Sequence, residues 1–205
     1  MNEQQTLKAF FALPPRLWEL IRSTAAAFVL LIMIGFTLGM LRPEAVEPLM
    51  RMFTDAAASA GLYQVEGGVL MATILANNLL SLLLIIAAGL VPVLRLSALS
   101  LGLNAMLIGG LAAYYRTSGL GLAAYLAGTL PHGLTELTAL VLSCAAGFYL
   151  CYAVNGAVFG DGSAQRVARV LSECLRVYTH WVVPLLVLSA FLEAFVTPLI
   201  FNLFL

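Results

Sequence analysis

The chain has 205 residues, of which 62% are hydrophobic and only 10% are charged, and its mean hydropathy is +1.00. Soluble globular domains carry about 25% charged residues, so this composition excludes a soluble domain and indicates an integral membrane protein. The net charge is zero and the sequence contains no basic tract, which excludes a nucleic-acid-binding surface. The predicted fold class is all-α: a polytopic transmembrane helix bundle in the lipid bilayer.

The first residues mix charged and bulky apolar side chains. Lys8, Arg16 and Arg22 alternate here with Phe10 and Trp18. This pattern predicts an interfacial helix over 1–22 that leads into the first span. It differs from the pattern of a secretory signal peptide, because charged residues are spread through the segment ahead of the first apolar run.

Five apolar stretches are long enough to cross the bilayer, since a transmembrane helix needs about 20 predominantly apolar residues. One domain over 23–205 is predicted, with spans at about 23–41, 67–91, 93–115, 133–159 and 178–204. The shorter apolar run over 117–130 predicts a re-entrant helix, with Pro131 opening the helix that follows. Helical spacing of apolar residues predicts an amphipathic surface helix over 43–60.

Basic residues set the predicted orientation, because cytoplasmic loops carry an excess of lysine and arginine. Counting 117–130 as a sixth span would place four basic residues inside and six outside, so five spans are favoured. A multi-pass protein of the cytoplasmic (inner) membrane with a cytoplasmic N-terminus is therefore predicted. With five spans, seven of the ten basic residues are cytoplasmic, namely Lys8, Arg16, Arg22, Arg95, Arg166, Arg169 and Arg176.

Polar side chains within the spans mark the candidate site. Ionisable groups at membrane depth are costly and are usually buried against a partner. Their distances from the loops, at about 1.5 Å of helical rise per residue, allow one shared cavity between the midplane and the outer third. The predicted polar cluster consists of Asn77, Asn78, Asn104, His132, Glu136 and Glu193.

Three kinds of chemistry are open to His132, Glu136 and Glu193. The imidazole and two carboxylates could bind a divalent metal, relay protons or a transported ion, or form a hydrogen-bonded lock between helices. A single histidine is a sparse set for zinc, and the HExxH pattern is absent from the sequence. The cofactor therefore stays undefined, and the lack of a catalytic triad pattern or a phosphate loop favours a protein that is not an enzyme.

Four motifs, taken in chain order, resemble the stage II sporulation protein M family of membrane proteins. The resemblance covers roughly residues 20–205, and the element from Pro131 to Leu137 is its most specific part. Ala105 stands where many members have glycine. The matching motifs are Asn77-Asn78, Asn104, Pro131-His132-Gly133 with Glu136-Leu137, and the run from Glu193 to Thr197-Pro198.

The resemblance implies a membrane fold and a site at the matching polar residues. The sporulation member is similar to a scaffold that works with a peptidoglycan hydrolase and a further membrane protein during engulfment. The expected function is thus a membrane scaffold or assembly subunit with a protein partner or a second copy. The alternative is a transporter component or an intramembrane metal-dependent hydrolase that uses His132, Glu136 and Glu193. Depth also predicts a polar pocket reached from the extracytoplasmic face, with the 43–60 helix at its rim.

Overall fold

Five helical stretches in the structure are long and apolar enough to cross a membrane, which confirms the predicted helix bundle. The structure is a computed structural model that describes residues 13–44, 46–48, 51, 67–119 and 121–203. The first four crossing helices are α1 (Pro15–Leu41), α2 (Gly67–Ala87, extended by a 3₁₀ turn at Ala88–Leu90), α3 (Leu96–Thr117) and α4 (Leu122–Phe159).

The last crossing stretch, Ala164–Phe201, is helical throughout but changes its winding twice. Each of its two π-helical segments contains the residue four positions before a proline: His180 precedes Pro184, and Ala194 precedes Pro198. A proline ring clashes with the carbonyl group four residues earlier and offers no N–H, so we attribute the widened turns to these prolines. The stretch comprises α5 (Ala164–Val177), α6 (Val183–Phe191) and α7 (Thr197–Phe201), separated by the π-helical segments Tyr178–Val182 and Leu192–Val196.

The predicted boundary between a re-entrant helix at 117–130 and a separate span at 133–159 is corrected by the structure. The helix Leu122–Phe159 is continuous over 38 residues, and Pro131 lies inside it rather than at its start. Proline is tolerated inside membrane helices because neighbouring helices and side chains satisfy the freed backbone groups. The helix is about 57 Å long at 1.5 Å per residue, which exceeds the thickness of a hydrocarbon core of about 30 Å.

Helices α1 and α3 pack through glycines at close range. A Cβ atom built on Gly35 would lie 2.9 Å from the carbonyl oxygen of Met106, and one on Gly109 would lie 2.2 Å from that of Ile32. Only glycine allows the two backbones to approach this closely. The four-residue spacing of Gly35 and Gly39, which is typical of close helix packing in membranes, therefore serves a helix–helix contact within the chain.

The core of the bundle surrounds the middle of α4. Residues 139–147 of this helix are all buried, whereas the other crossing helices bury a minority of their side chains. Cys144, Cys151 and Cys174 are free and buried, as expected for cysteines that pack as small apolar side chains. The Cys174 thiol donates to the backbone oxygen of Ala146 at 3.4 Å.

One end of the bundle gathers basic residues that the predicted orientation places on the cytoplasmic side. The guanidinium groups of Arg16 and Arg95 lie 5.8 and 5.3 Å from the centre of the Tyr152 ring. The backbone N–H of Val93 donates to the Asn155 side chain at 2.9 Å. The start of α1, the α2–α3 connection and the end of α4 therefore lie at the same end.

Two predicted surface helices fall mainly outside the described residues. Of the interfacial helix at 1–22, residues 15–22 form the first turns of α1, and residues 1–12 are not described. Of the amphipathic helix at 43–60, residues 45, 49–50 and 52–60 are not described. Val46 is buried, and a Cβ atom at Gly39 or Gly110 would lie 3.1 or 3.3 Å from its side chain.

Candidate intramembrane polar site

Three ionisable side chains converge where α4 meets the last crossing stretch. His132 and Glu136 are one helical turn apart on α4 and share a face, because residues i and i+4 of a helix lie one above the other. Glu193 comes from the π-helical segment Leu192–Val196. One potential ligand atom from each residue lies within 4.8 Å of the other two. Single π-helical turns within α-helices are frequent at functional sites.

The ring of His132 is oriented by the last crossing stretch. Its Nδ1 atom lies 3.0 Å from the hydroxyl oxygen of Thr197, at the start of α7. The hydroxyl of Ser189, on α6, donates to the backbone oxygen of His132 at 3.3 Å. The first contact fixes the ring and the second fixes the backbone, so the histidine is held at two points.

Helix α2 adds a third wall to the site. The side-chain amide of Asn78 donates to Oε1 of Glu136 at 3.4 Å. This distance is longer than the usual 2.7–3.2 Å for an N–H···O hydrogen bond, so the contact is a weak one. The cluster thus joins α2, α4 and the last crossing stretch, but with little hydrogen bonding to the carboxylates.

The carboxylate of Glu193 has no hydrogen bond and no ion pair within the described part of the chain. The ion pairs found there join residues elsewhere, at exposed positions: Arg16 with Glu19, Arg42 with Glu44, and Arg51 with Glu47. Two carboxylates in an apolar surrounding repel each other strongly when both are ionised. The geometry therefore leaves the negative charge of the site without a compensating cation among the described residues.

Two of the predicted cluster residues make no hydrogen bond to the three ionisable side chains in the described structure. Asn77 and Asn104 are both exposed, and the Asn104 amide donates to the backbone oxygen of Ser100, on its own helix, at 2.9 Å. Of the three asparagines, only Asn78 contacts the ionisable residues in the described structure. Thr197 and Ser189 carried no predicted role. Thr197 stands in the terminal motif beside Pro198, but its contact with His132 depends on a helix pairing that the sequence does not reveal.

An apolar cavity adjoins the site. It has a volume of about 500 Å³ and lies between the first half of α4 and α7. Its walls hold no ionisable side chain, so it is not the predicted polar pocket, and the 43–60 helix expected at the pocket's rim lies mainly outside the described residues. The cavity is lined by Ala123, Leu126, Ala127, Leu130, Pro131 and Ile200.

Comparison with known proteins identifies the family but adds no characterised relative. No curated protein and no solved structure matches the chain. The sequence profile described as Stage II sporulation protein M matches residues 24–198, a range that includes His132, Glu136, Glu193 and Thr197. The chain is therefore a multi-pass integral membrane protein that belongs to the stage II sporulation protein M family.

Proposed function

We propose that the chain is a scaffold or assembly subunit of the membrane, which docks a transmembrane helix of a different membrane protein through Asn77 and Asn104. The observation that supports this function is the exposure of both asparagines near the middle of crossing helices, Gly67–Leu90 and Leu96–Thr117. At that depth the surrounding solvent is lipid hydrocarbon, which offers no hydrogen bonds.

A side-chain amide facing hydrocarbon favours a polar partner. One N–H of the Asn104 side chain donates within its own helix, and its second N–H and its oxygen have no hydrogen bond within the described residues. Asn77 has no hydrogen bond within the described residues. An interhelical hydrogen bond in a membrane contributes about 1 kcal/mol or less. Two asparagines are therefore enough to select a partner helix with polar side chains, but not to bind it tightly by themselves. The resemblance to a sporulation scaffold supports the same function.

Site-specific photocrosslinking in native membranes tests the docking. A benzoylphenylalanine placed at Leu80 or Leu103, exposed neighbours of Asn77 and Asn104, should crosslink to one and the same membrane protein. Replacing both asparagines by leucine should reduce the yield about tenfold or more, because two hydrogen bonds of about 1 kcal/mol each are lost.

The matched control is Ser81→Leu, since Ser81 is exposed on α2 one turn beyond Asn77. This change also adds an apolar side chain to the lipid-facing surface, but it leaves both amides in place, and the yield should not change. Equal yields from the asparagine variants and the parent protein would overturn the proposal. So would crosslinks found only between copies of this chain.

We further propose that the protein resides in the cytoplasmic membrane with its N-terminus in the cytoplasm, because seven of its ten basic residues then lie on the cytoplasmic side. Ser118, between α3 and α4, and Ser163, at the start of α5, are exposed at the two connections that flank α4. In a cysteine-free background, a membrane-impermeant thiol reagent should label Ser118→Cys in intact cells and label Ser163→Cys only after permeabilisation. The reverse pattern would invert the orientation.

The second candidate function is transport or intramembrane hydrolysis at His132, Glu136 and Glu193. It is favoured by one observation: the Glu193 carboxylate lacks a hydrogen-bonding partner within the described residues. A purely structural lock would satisfy this half-buried carboxylate, because a polar group that loses water without gaining a hydrogen bond reduces stability. The effect of Glu193→Gln on the free energy of unfolding separates these functions from a purely structural lock.

A further inference from the structure

We propose that His132, Glu136 and Glu193 bind one divalent transition-metal ion of the zinc class, which bridges α4 and the last crossing stretch. This site goes beyond the docking role and does not depend on it. The proposal rests on the donor set, its convergence from two elements, the orientation of the histidine, and the uncompensated charge of the two carboxylates.

The donor atoms are already close to the spacing that a metal requires. Ligand atoms bound to tetrahedral zinc at about 2.0–2.1 Å are separated from one another by roughly 3.3 Å. In the structure the three candidate atoms lie within 4.8 Å of one another. Small side-chain rotations would close the difference, and the metal would supply the attraction that two mutually repelling carboxylates lack.

The histidine is held in a manner typical of a metal ligand. Metal-bound histidines commonly use their second ring nitrogen for a hydrogen bond that fixes the ring. Here Nδ1 lies 3.0 Å from the Thr197 hydroxyl, which leaves Nε2 available as the ligand. In the same way, Asn78 donates to Oε1 of Glu136 and leaves Oε2 available.

The charge of the site matches a dication. Two ionised carboxylates carry two negative charges, and no described arginine or lysine forms an ion pair with either of them. A divalent ion would cancel this charge, whereas a monovalent ion would leave an uncompensated charge in a medium of low dielectric constant, which is costly.

The ligand types favour zinc-class ions over magnesium and calcium. An imidazole nitrogen suits zinc and neighbouring transition metals, whereas magnesium and calcium prefer sites made of six or more oxygen atoms. Three protein ligands also leave a fourth position of a tetrahedral zinc open, as in sites where the metal holds a water molecule or another group.

Zinc titration of the purified protein tests the site, with the metal first stripped by a chelator and with no polyhistidine tag present. The parent protein should bind about one Zn²⁺ per chain, and Co²⁺ in its place should give visible absorption bands of low-symmetry coordination. His132→Asn and Glu193→Gln should each weaken zinc binding about 100-fold or more. A direct ligand should exceed the roughly 10- to 100-fold loss caused by residues that only orient a ligand.

The chain offers a close control, because His180 is its only other histidine. His180→Asn should leave zinc affinity unchanged, and so should replacement of all three cysteines by alanine. Thr197→Val should weaken binding roughly tenfold while keeping all three ligands. Circular dichroism and size-exclusion chromatography should show that each variant is folded.

If a ligand variant does not fold, the zinc-dependent rise in Tm decides instead, since a ligand that binds only the native state stabilises it. That rise should appear in the parent protein and persist in His180→Asn. Absence of zinc binding and of this rise in the parent protein would overturn the proposal. A loss in His180→Asn equal to that in His132→Asn would overturn it as well. The docking test needs no added metal, so either proposal can fail alone.

Discussion

Two helix contacts in the molecule are built differently. One joins α1 and α3, and the other joins α4 and the last crossing stretch. The first is regular: two unbroken α-helices approach through Gly35, Gly39 and Gly109, whose nearest neighbours are backbone atoms and the apolar side chains of Ala113 and Val46. The second is irregular: the last stretch contains two π-helical segments, α4 contains Pro131, and ionisable side chains line the contact.

We infer from this difference that the glycine contact mainly stabilises the bundle, whereas the irregular contact serves the function of the site. Close backbone packing is the usual source of helix association in lipid, where apolar side chains gain little by leaving their solvent. The irregular contact leaves one carboxylate without a partner in the described chain, which is unfavourable for stability. Residues at such positions are typical of function, because functional sites often reduce stability locally.

The largest effect is expected from Gly109→Ala at the regular contact. The new Cβ atom would lie 2.2 Å from the backbone oxygen of Ile32 and 2.6 Å from the backbone nitrogen of Phe36, so α1 must move away. Overpacking of this kind costs about 1–3 kcal/mol, and backbone atoms cannot rotate aside as a flexible side chain can. Thermal unfolding in detergent should show a lower Tm.

Gly102→Ala is the matched control on the same helix, since a Cβ atom there would meet no other atom within 4 Å. Alanine favours a helix interior over glycine by about 1 kcal/mol, so this variant should be as stable as the parent or more so. If the two alanine variants had the same stability, the close approach of α1 and α3 would not be what holds this half together.

The sequence was sufficient to predict the regular part of the molecule. Uncharged stretches of sufficient length predicted five crossing helices, and the four-residue spacing of Gly35 and Gly39 is typical of a close helix contact. These features depend on hydrophobicity and on residue size, which are read along the chain without knowledge of which helices are neighbours. The helix boundary predicted at Pro131 was wrong. A proline indicates a boundary from the local sequence alone, whereas the packing that keeps α4 continuous depends on helices that are distant in the sequence.

The site was harder to predict, because it depends on rotation and depth together. The prediction grouped Asn77, Asn78 and Asn104 because they lie at a similar depth in the membrane. Adjacent residues on a helix, however, point about 100° apart, so residues at the same depth can face different neighbours. Asn78 turns inward to Glu136 whereas Asn77 is exposed. The contact of Thr197 with His132 depends in addition on a π-helical segment, whose extra residue shifts the register of everything after it.

The smallest effect on stability, and the most informative about the irregular contact, is expected from Glu193→Gln in metal-free protein. Glutamine has nearly the shape of glutamate but carries no charge, so the variant relieves the repulsion with Glu136 without opening a cavity. No described hydrogen bond or ion pair to Glu193 is lost. We therefore expect the free energy of unfolding to stay the same or to rise by up to about 1 kcal/mol.

A structural lock predicts the opposite sign, because removing a partner from a buried polar network typically destabilises a protein by about 1–3 kcal/mol. Chelator-treated parent and variant, unfolded side by side in the same detergent, give the comparison directly. The same two unfolding measurements are then repeated with saturating zinc. The parent protein should gain stability, and Glu193→Gln should gain little. If the variant were less stable than the parent without metal, Glu193 would be shown to hold the helices together. The irregular contact would then stabilise the bundle, as the glycine contact does.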